Sequence, residues 1–322
     1  MGSPPFTALL VGLGRIGLGY DVDLDQDVPR QVVGSCATHA RALTTNDAFR
    51  LIGSVDPDPR ARETFGLLYD LPTWATLREV PDTRVDLVVI ATPTEHHVRL
   101  ATDAIRRWAP RMLLCEKPCA MSAREAERLA SVAESMGTRV SVNYFRRYLP
   151  QTAEIGALIS SPVAGQLVSG VVQYSHGLWV NGCHFVNLVT GWIGQPSSIR
   201  RVADVAPASG LTPSFVMSFE NAGSVFFHGG AEGGLRLAEV SLAFSGGLLT
   251  YQLGGTNISW RARQRGPQSQ PPRPDAQEWR DPLSSYQCDV YRHISRILID
   301  GGPLVSGLDD AIMTLRLMEQ VS

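Results

Sequence analysis

The stretch Ala8-Leu9-Leu10-Val11-Gly12-Leu13-Gly14-Arg15-Ile16-Gly17 decides the fold. Its apolar start suits a buried strand, and the run then breaks into Gly12-x-Gly14-x-x-Gly17. The glycines of such a pattern serve three separate purposes, namely a tight turn after the strand, room for a pyrophosphate against the backbone, and close packing of the next helix on the strand. Free N–H groups at the start of that helix then face the anion. The spacing predicts a strand, turn and helix that hold a dinucleotide, with Gly12, Gly14, Arg15, Ile16 and Gly17 around it.

A unit of this kind needs a carboxylate at the end of its second strand to receive ribose hydroxyls. Leu51-Ile52-Gly53-Ser54-Val55-Asp56 supplies Asp56, well beyond the usual spacing of roughly 20 residues. An insertion explains the excess, because residues 20–31 are polar and a helical pattern resumes near Thr38 to Leu43. Asp21, Asp23 and Asp25 alternate as calcium ligands do, but Gln26 and Val32 stand where that loop needs Gly and Glu, so no metal is expected. Asp56 favours NAD and would repel a 2′-phosphate, while Arg60 and Arg62 leave NADP open.

A chain of 322 residues exceeds one hydrophobic core, so two domains are expected. A net charge of −2 lacks the footprint of a nucleic-acid or acidic-membrane binder. No apolar run approaches the roughly 18 residues of a membrane span, and no charged-then-apolar leader precedes the first strand. These features read as a soluble, cytoplasmic protein with neither nucleic acid nor membrane as partner. Cys36, Cys115, Cys119, Cys183 and Cys288 are odd in number and form no CxxC pair, which points to reduced thiols rather than a zinc cage or disulfide framework.

Strand and helix patterns alternate through the first half. A helix at about 59–68 precedes a buried strand at Val85–Ile90; a helix from Glu95 to Trp108 precedes Met112–Cys115; a helix from Ser122 to Met136, opened by the Ser122/Glu125 capping box, precedes a strand from Arg139 to Tyr144. Alternation of this kind implies an α/β doubly wound parallel sheet over residues 1–148. Residues 149–322 change character. Strands are expected at Gln166–Tyr174, Ile199–Val205, Ser214–Phe219, Ser224–His228, Leu235–Phe244 and Leu248–Leu253, with helices at His184–Ile193, 284–299 and 308–321 and a surface loop over 261–282. Successive strands predict an α+β domain with an open, mostly antiparallel sheet.

Ligands of doubly wound sheets bind outside the carboxyl ends of the strands. Ala91-Thr92-Pro93-Thr94 and Glu116-Lys117-Pro118 fall there, and each proline stops its strand. A lysine at such a place can donate to an alkoxide or carbonyl oxygen.

Taken together, the glycine turn, Val55-Asp56, Ala91-Thr92-Pro93 with His96-His97, Cys115-Glu116-Lys117-Pro118 and Asn143-Tyr144-Phe145-Arg146-Arg147 resemble the glucose–fructose oxidoreductase/inositol dehydrogenase/MocA family. The resemblance implies an NAD(P)-dependent oxidoreductase that transfers hydride between nicotinamide and a carbinol or carbonyl of a polyhydroxylated small molecule: a sugar, nucleotide sugar, amino sugar or cyclitol. It implies that Thr92, Pro93, His97, Glu116 and Lys117 lie near the cofactor and that Lys117 touches the reacting oxygen. A homodimer or homotetramer formed through the open sheet is also implied. The family's Asp-x-Gly-x-His element matches Val180-Asn181-Gly182-Cys183-His184, so His184 keeps a proton-transfer role while the aspartate position holds valine, and Asn187 stands where many members carry a second aspartate. Tyr144, Arg146, His176 and Asn181 are the expected substrate contacts. Imine or cyclic enamine reduction on the same scaffold, and a non-catalytic nicotinamide-binding sensor, are the alternative readings.

Overall fold

The computed structural model describes residues 5–23, 30–31, 34–205, 212–220, 222–230, 236–263, 276–281 and 283–322. The strands are β1 (Phe6–Val11), β2 (Val22–Asp23), β3 (Arg30–Gln31), β4 (Phe49–Val55), β5 (Thr73–Trp74), β6 (Leu87–Ile90), β7 (Met112–Cys115), β8 (Arg139–Val142), β9 (Leu167–Tyr174), β10 (Ser198–Val205), β11 (Thr212–Ser218), β12 (Ser224–Gly229), β13 (Ala238–Phe244), β14 (Gly247–Gln252), β15 (Asn257–Ala262) and β16 (Ala276–Arg280). The α-helices are α1 (His39–Thr44), α2 (Pro59–Tyr69), α3 (Thr94–Trp108), α4 (Ala123–Ser135), α5 (Pro150–Ile159), α6 (Cys183–Ile193), α7 (Tyr286–Asp300) and α8 (Leu308–Glu319). Two compact units result: Met1–Leu149 with Ser284–Ile312, and Pro150–Leu283 with Met313–Ser322.

In the first unit a parallel sheet runs β5-β4-β1-β6-β7-β8. Strand order reverses between β1 and β6, which opens a crevice beyond their carboxyl ends. Strands β6 and β7 are buried throughout, the state in which a parallel strand reads as one apolar run. Helix α7 belongs here rather than with the second domain that the sequence predicts. Its Val290, Tyr291, Ile294, Ile297 and Leu298 recur at helical spacing and join the core of Leu10, Leu43, Leu87 and Met112. Burying each such side chain is worth about 1.5–3 kcal/mol, enough to outweigh its late position in the chain.

No continuous helix follows the glycine turn. One helical turn forms, with Leu18 N–H donating to Gly14 O and Tyr20 N–H to Arg15 O, and the chain then departs through the Gly19–Asp21 3₁₀ turn. Helix α1 resumes the interrupted helix, because His39 N–H donates to Ile16 O and Ala40 N–H to Gly17 O. Asp21 organises the return: its buried carboxylate accepts from the Thr38 and Ala37 N–H groups and from the Ser35 and Thr38 hydroxyls. Asp21 is thus taken up by its own loop; Asp25 and Gln26 lie outside the described residues.

Cys36 and Cys288 form a disulfide, which corrects the expectation of reduced thiols throughout; Cys115, Cys119 and Cys183 are buried free thiols. The partners are 252 residues apart in sequence, and only the packing of α7 beside the approach to α1 brings their Cα atoms to 6.1 Å.

The second unit holds an eight-stranded sheet in the order β10-β11-β12-β9-β13-β14-β15-β16, antiparallel except where β12 pairs with β9. Along β9, Leu167, Gly170, Val172 and Tyr174 are buried while Val168 and Val171 are exposed, so one face is covered. Helix α6 packs on that face, with the Phe185 and Trp192 rings 6.3 and 6.2 Å from Tyr251. Three elements depart from the sequence reading. Helix α5 and strand β15 are not among the elements it predicts, and β16 lies within the segment predicted as a loop. Its residues Ala-Gln-Glu-Trp-Arg carry no apolar alternation; β16 exists by pairing with β15 and by the Trp279 indole donating to Glu154 at 2.7 Å.

Candidate active site

A cleft of about 720 Å³ lies against the glycine turn, lined by Gly12, Gly14, Asp56, Thr92 and Pro93 and, farther out, by Thr76, Arg78, His96, Arg99 and Asp103. The three glycines differ as a dinucleotide turn requires. A Cβ on Gly12, where φ is +104°, would stand 2.4 Å from Ala91 O, and one on Gly17 would meet Gly12 O at 2.2 Å. Around Gly14 there is open space, so its missing side chain leaves the backbone accessible. Asp56 accepts Leu13 N–H through Oδ2 at 2.7 Å and Asp58 N–H through Oδ1 at 2.8 Å. A carboxylate offers about four lone-pair sites, so acceptor capacity remains for ribose hydroxyls. Arg62 is committed to the carbonyls of Asp56 and Pro57. Turn, open Gly14 and carboxylate together fit NAD. Arg15 is exposed beside Gly14 with its guanidinium over the Tyr20 ring, and Ile16 is half-buried.

His97 is placed differently from the expectation of a cofactor contact. It is 1% exposed, with Nε2 at 2.6 Å from Thr92 O and Nδ1 at 2.9 Å from Pro118 O. Burial holds its pKa below the ordinary histidine value, against the carbonyl oxygens that favour the imidazolium. The ring clips together the loops that follow β6 and β7.

Lys117 follows β7 and is half-buried. It is the only lysine among the 29 basic side chains of the chain. Arginine keeps its proton throughout the working pH range and presents a broad planar fork, whereas an ammonium is a compact donor.

Behind Lys117 the Glu116 carboxylate is buried. Its Oε1 lies 2.9 Å from His39 Nε2 and 2.5 Å from Asn143 Nδ2, and its Oε2 accepts Lys117 N–H at 3.2 Å. Burial alone would raise the Glu116 pKa, but His39, Asn143 and the Lys117 charge outweigh it and hold the carboxyl below its ordinary range. His39 Nδ1 lies 2.8 Å from the Tyr291 hydroxyl, and Asn143 also donates to Gln287 Oε1 at 3.2 Å. Gln287 and Tyr291 are a helical i,i+4 pair on α7 that no local motif could connect with Glu116. Tyr144 is fully buried and Arg146 is 8% exposed with its guanidinium over the Phe145 ring, so neither stands open as the substrate contact expected of it.

In the second unit the Asp-x-Gly-x-His counterpart forms a π-helix, Leu178–Gly182, that runs into α6. Gly182 is required there because a Cβ would lie 2.7 Å from the Tyr174 ring, whose hydroxyl is held by Pro213 O. Val180 is exposed, and His184 sits in the first turn of α6, 6% exposed. Asn187 is buried and donates to the Thr314 hydroxyl at 3.0 Å. His176 is exposed at φ +66°. The Ser175 hydroxyl accepts Leu237 N–H at 3.0 Å and lies 2.9 Å from His176 Nδ1. Asn181 is anchored by Nδ2 to the carbonyls of Ser175 and Leu237. Among the described residues no group of three or more His, Cys, Asp or Glu is arranged to hold a metal ion.

The first unit therefore defines a dinucleotide-binding Rossmann protein. Residues 31–144 match the family described as "Oxidoreductase family, NAD-binding Rossmann fold". The rhizopine catabolism protein MocA of Rhizobium meliloti is 31% identical over 159 residues, 49% of this chain and 43% of that protein. Glucose-6-phosphate 3-dehydrogenase of Bacillus subtilis is 29% identical over 141 residues, 44% of this chain and 39% of that protein. The chain thus spans about two fifths of the length of the curated relatives it matches. The WlbA dehydrogenase of Bordetella pertussis, solved with NADH and UDP-GlcNAcA, shares the fold at a TM-score of 0.79 and 15% identity, over 100% of this chain and 95% of that one. Over residues 31–144 the chain is similar to the glucose–fructose oxidoreductase/inositol dehydrogenase/MocA family. No helix of the described residues is long and apolar enough to cross a membrane.

Proposed function

We propose that this protein is a nicotinamide-dependent oxidoreductase acting on a carbinol or carbonyl of a sugar, nucleotide sugar, amino sugar or cyclitol. The observation that carries the reading is the chain's only lysine at the carboxyl end of β7, in the sheet whose crevice fits NAD. The glycine turn would hold the pyrophosphate and Asp56 the ribose hydroxyls. A bound nicotinamide ring supplies hydride acceptance or donation. Lys117 donates a hydrogen bond to the substrate oxygen, where negative charge is largest in the transition state. His184 takes the hydroxyl proton in the oxidative direction and returns it in the reductive one. The names of the relatives support a polyol substrate, since one acts on glucose 6-phosphate and one was solved with a nucleotide sugar. Assembly of copies through the exposed face of the eight-stranded sheet belongs to the same proposal, and light scattering on the eluted protein tests it.

The decisive experiment is titration with NADH, followed by a panel of polyols and sugar nucleotides watched at the absorbance of reduced nicotinamide. Tight cofactor binding with turnover of a panel member supports the reading. Turnover confined to imines would favour imine reduction, and cofactor binding without any turnover would favour a sensor.

A further inference from the structure

We propose that His39 and Tyr291 are positioning residues for Lys117 and act through the buried carboxylate of Glu116. The inference rests on the reading of Lys117 as the group that meets the reacting oxygen, and it deepens that reading.

His39 bridges two partners: its Nδ1 lies 2.8 Å from the Tyr291 hydroxyl, and its Nε2–H donates to the carboxylate of Glu116 at Oε1, 2.9 Å away. Asn143 Nδ2 donates to the same oxygen, and Lys117 N–H donates to Oε2. Glu116 thus grips the backbone of the residue it precedes, while His39 and Tyr291 fix Glu116. The contributing segments come from α1, α7 and the end of β8, and the Cys36–Cys288 disulfide joins the approach to α1 to α7.

Stability alone does not account for this arrangement. Buried charged pairs often give way to apolar residues without loss of stability, because taking charges out of water costs about as much as their attraction returns. Here the buried anion stands one residue from the chain's only lysine, and the Lys117 charge is among the influences that keep Glu116 ionised. A fixed anion with its lone pairs bound to the framework holds the turn and the field at Lys117 together, the preorganisation that a donor to a developing alkoxide needs.

The single lysine makes the test specific. In His39→Leu, His39→Gln and Tyr291→Phe, the rate at which Lys117 reacts with trinitrobenzenesulfonate is followed by peptide mass spectrometry, beside NADH affinity, kcat and KM. His39→Leu is expected to change the Lys117 modification rate severalfold and to lower kcat roughly tenfold or more, the scale of a hydrogen bond to a charged group, with KM and NADH affinity within about twofold. His39→Gln keeps a donor toward Glu116 and should recover most of both effects, and Tyr291→Phe should move them the same way by less. Wild-type modification rate and kcat in His39→Leu would overturn the proposal. So would parallel losses of kcat and NADH affinity that His39→Gln does not rescue. If His39→Leu does not fold, an unchanged Lys117 modification rate in both other variants overturns it. If the wild type turns over no panel substrate, the functional reading fails while the Lys117 modification rate still decides positioning.

Discussion

Asp56 Oδ2 accepts the backbone N–H of Leu13 at 2.7 Å, so the carboxylate expected to meet the cofactor ribose also pins the glycine turn that meets the pyrophosphate. The two halves of dinucleotide recognition share one side chain. Asp56→Ala should therefore weaken NADH binding by roughly 10- to 100-fold, the scale of losing hydrogen bonds to a charged group, and should narrow the preference over NADPH. Fluorescence titration of both cofactors reads this; unchanged affinity for both would mean that the ribose binds elsewhere.

Lys117 is the only lysine, so substitution there removes a unique chemistry. Lys117→Met should lower turnover on the order of 100-fold or more while NADH affinity stays within a few fold. Lys117→Arg should not recover the rate, because a planar guanidinium cannot replace a compact ammonium at one oxygen. Steady-state kinetics with parallel NADH titration checks both variants.

His184 and His176 are separable. His184→Asn should depress the rate by roughly 100-fold or more and remove a pH-dependent limb, the usual result of losing a general acid–base group. His176→Asn should leave that limb in place. An unchanged pH profile in His184→Asn would move the proton-transfer role to another group, with His176 the first to test.

The disulfide closes a loop of 252 residues. Chain-entropy reasoning puts its stabilisation at roughly 5 kcal/mol as an upper figure. Cys36→Ser should lower the urea midpoint, and reductant should lower the wild-type midpoint without moving that of the variant. Equal midpoints for both proteins, with and without reductant, would show that the bridge contributes nothing.

Glu116 sets an acid limit to stability. Burial raises its pKa, yet the His39 and Asn143 hydrogen bonds and the neighbouring positive charge bring the folded value below the ordinary 4.5. A depressed folded pKa means that the unfolded chain binds the proton more tightly, so this stabilisation is full above about pH 4.5 and is lost as pH falls through the folded value. Glu116→Gln should lose less stability than wild type as pH is lowered from about 4.5, measured as urea midpoints at successive pH values. Asp86 behaves alike: burial opposes ionisation, but Thr7 and Arg84 hold its pKa down, and Asp86→Asn should flatten the limb further.

Much of this molecule is local information. Apolar runs at β1, β6 and β7, the Gly12-Gly14-Gly17 turn and Asp56 define the parallel sheet and its cofactor crevice, because a strand buried on both faces and a backbone that must approach a phosphate each restrict residue type position by position. The helix interrupted after Gly17 was legible as an insertion, since its second half repeats the apolar period from Thr38 onward. The polar edge strand β16 was not, because its partner β15 rather than its own residues makes it a strand. Nor could spacing reveal that Cys36 meets Cys288, that α7 returns to the first unit, or that His39, Asn143, Gln287 and Tyr291 gather around Glu116. By itself the sequence determined the cofactor turn and the lysine at the end of β7, features whose residue types follow from the chemistry of one short segment. Tertiary structure alone decided how Glu116 is held, because that depends on elements far apart in the chain, and only burial of the α7 apolar stripe in the core of the first unit brings their polar groups within hydrogen-bond reach.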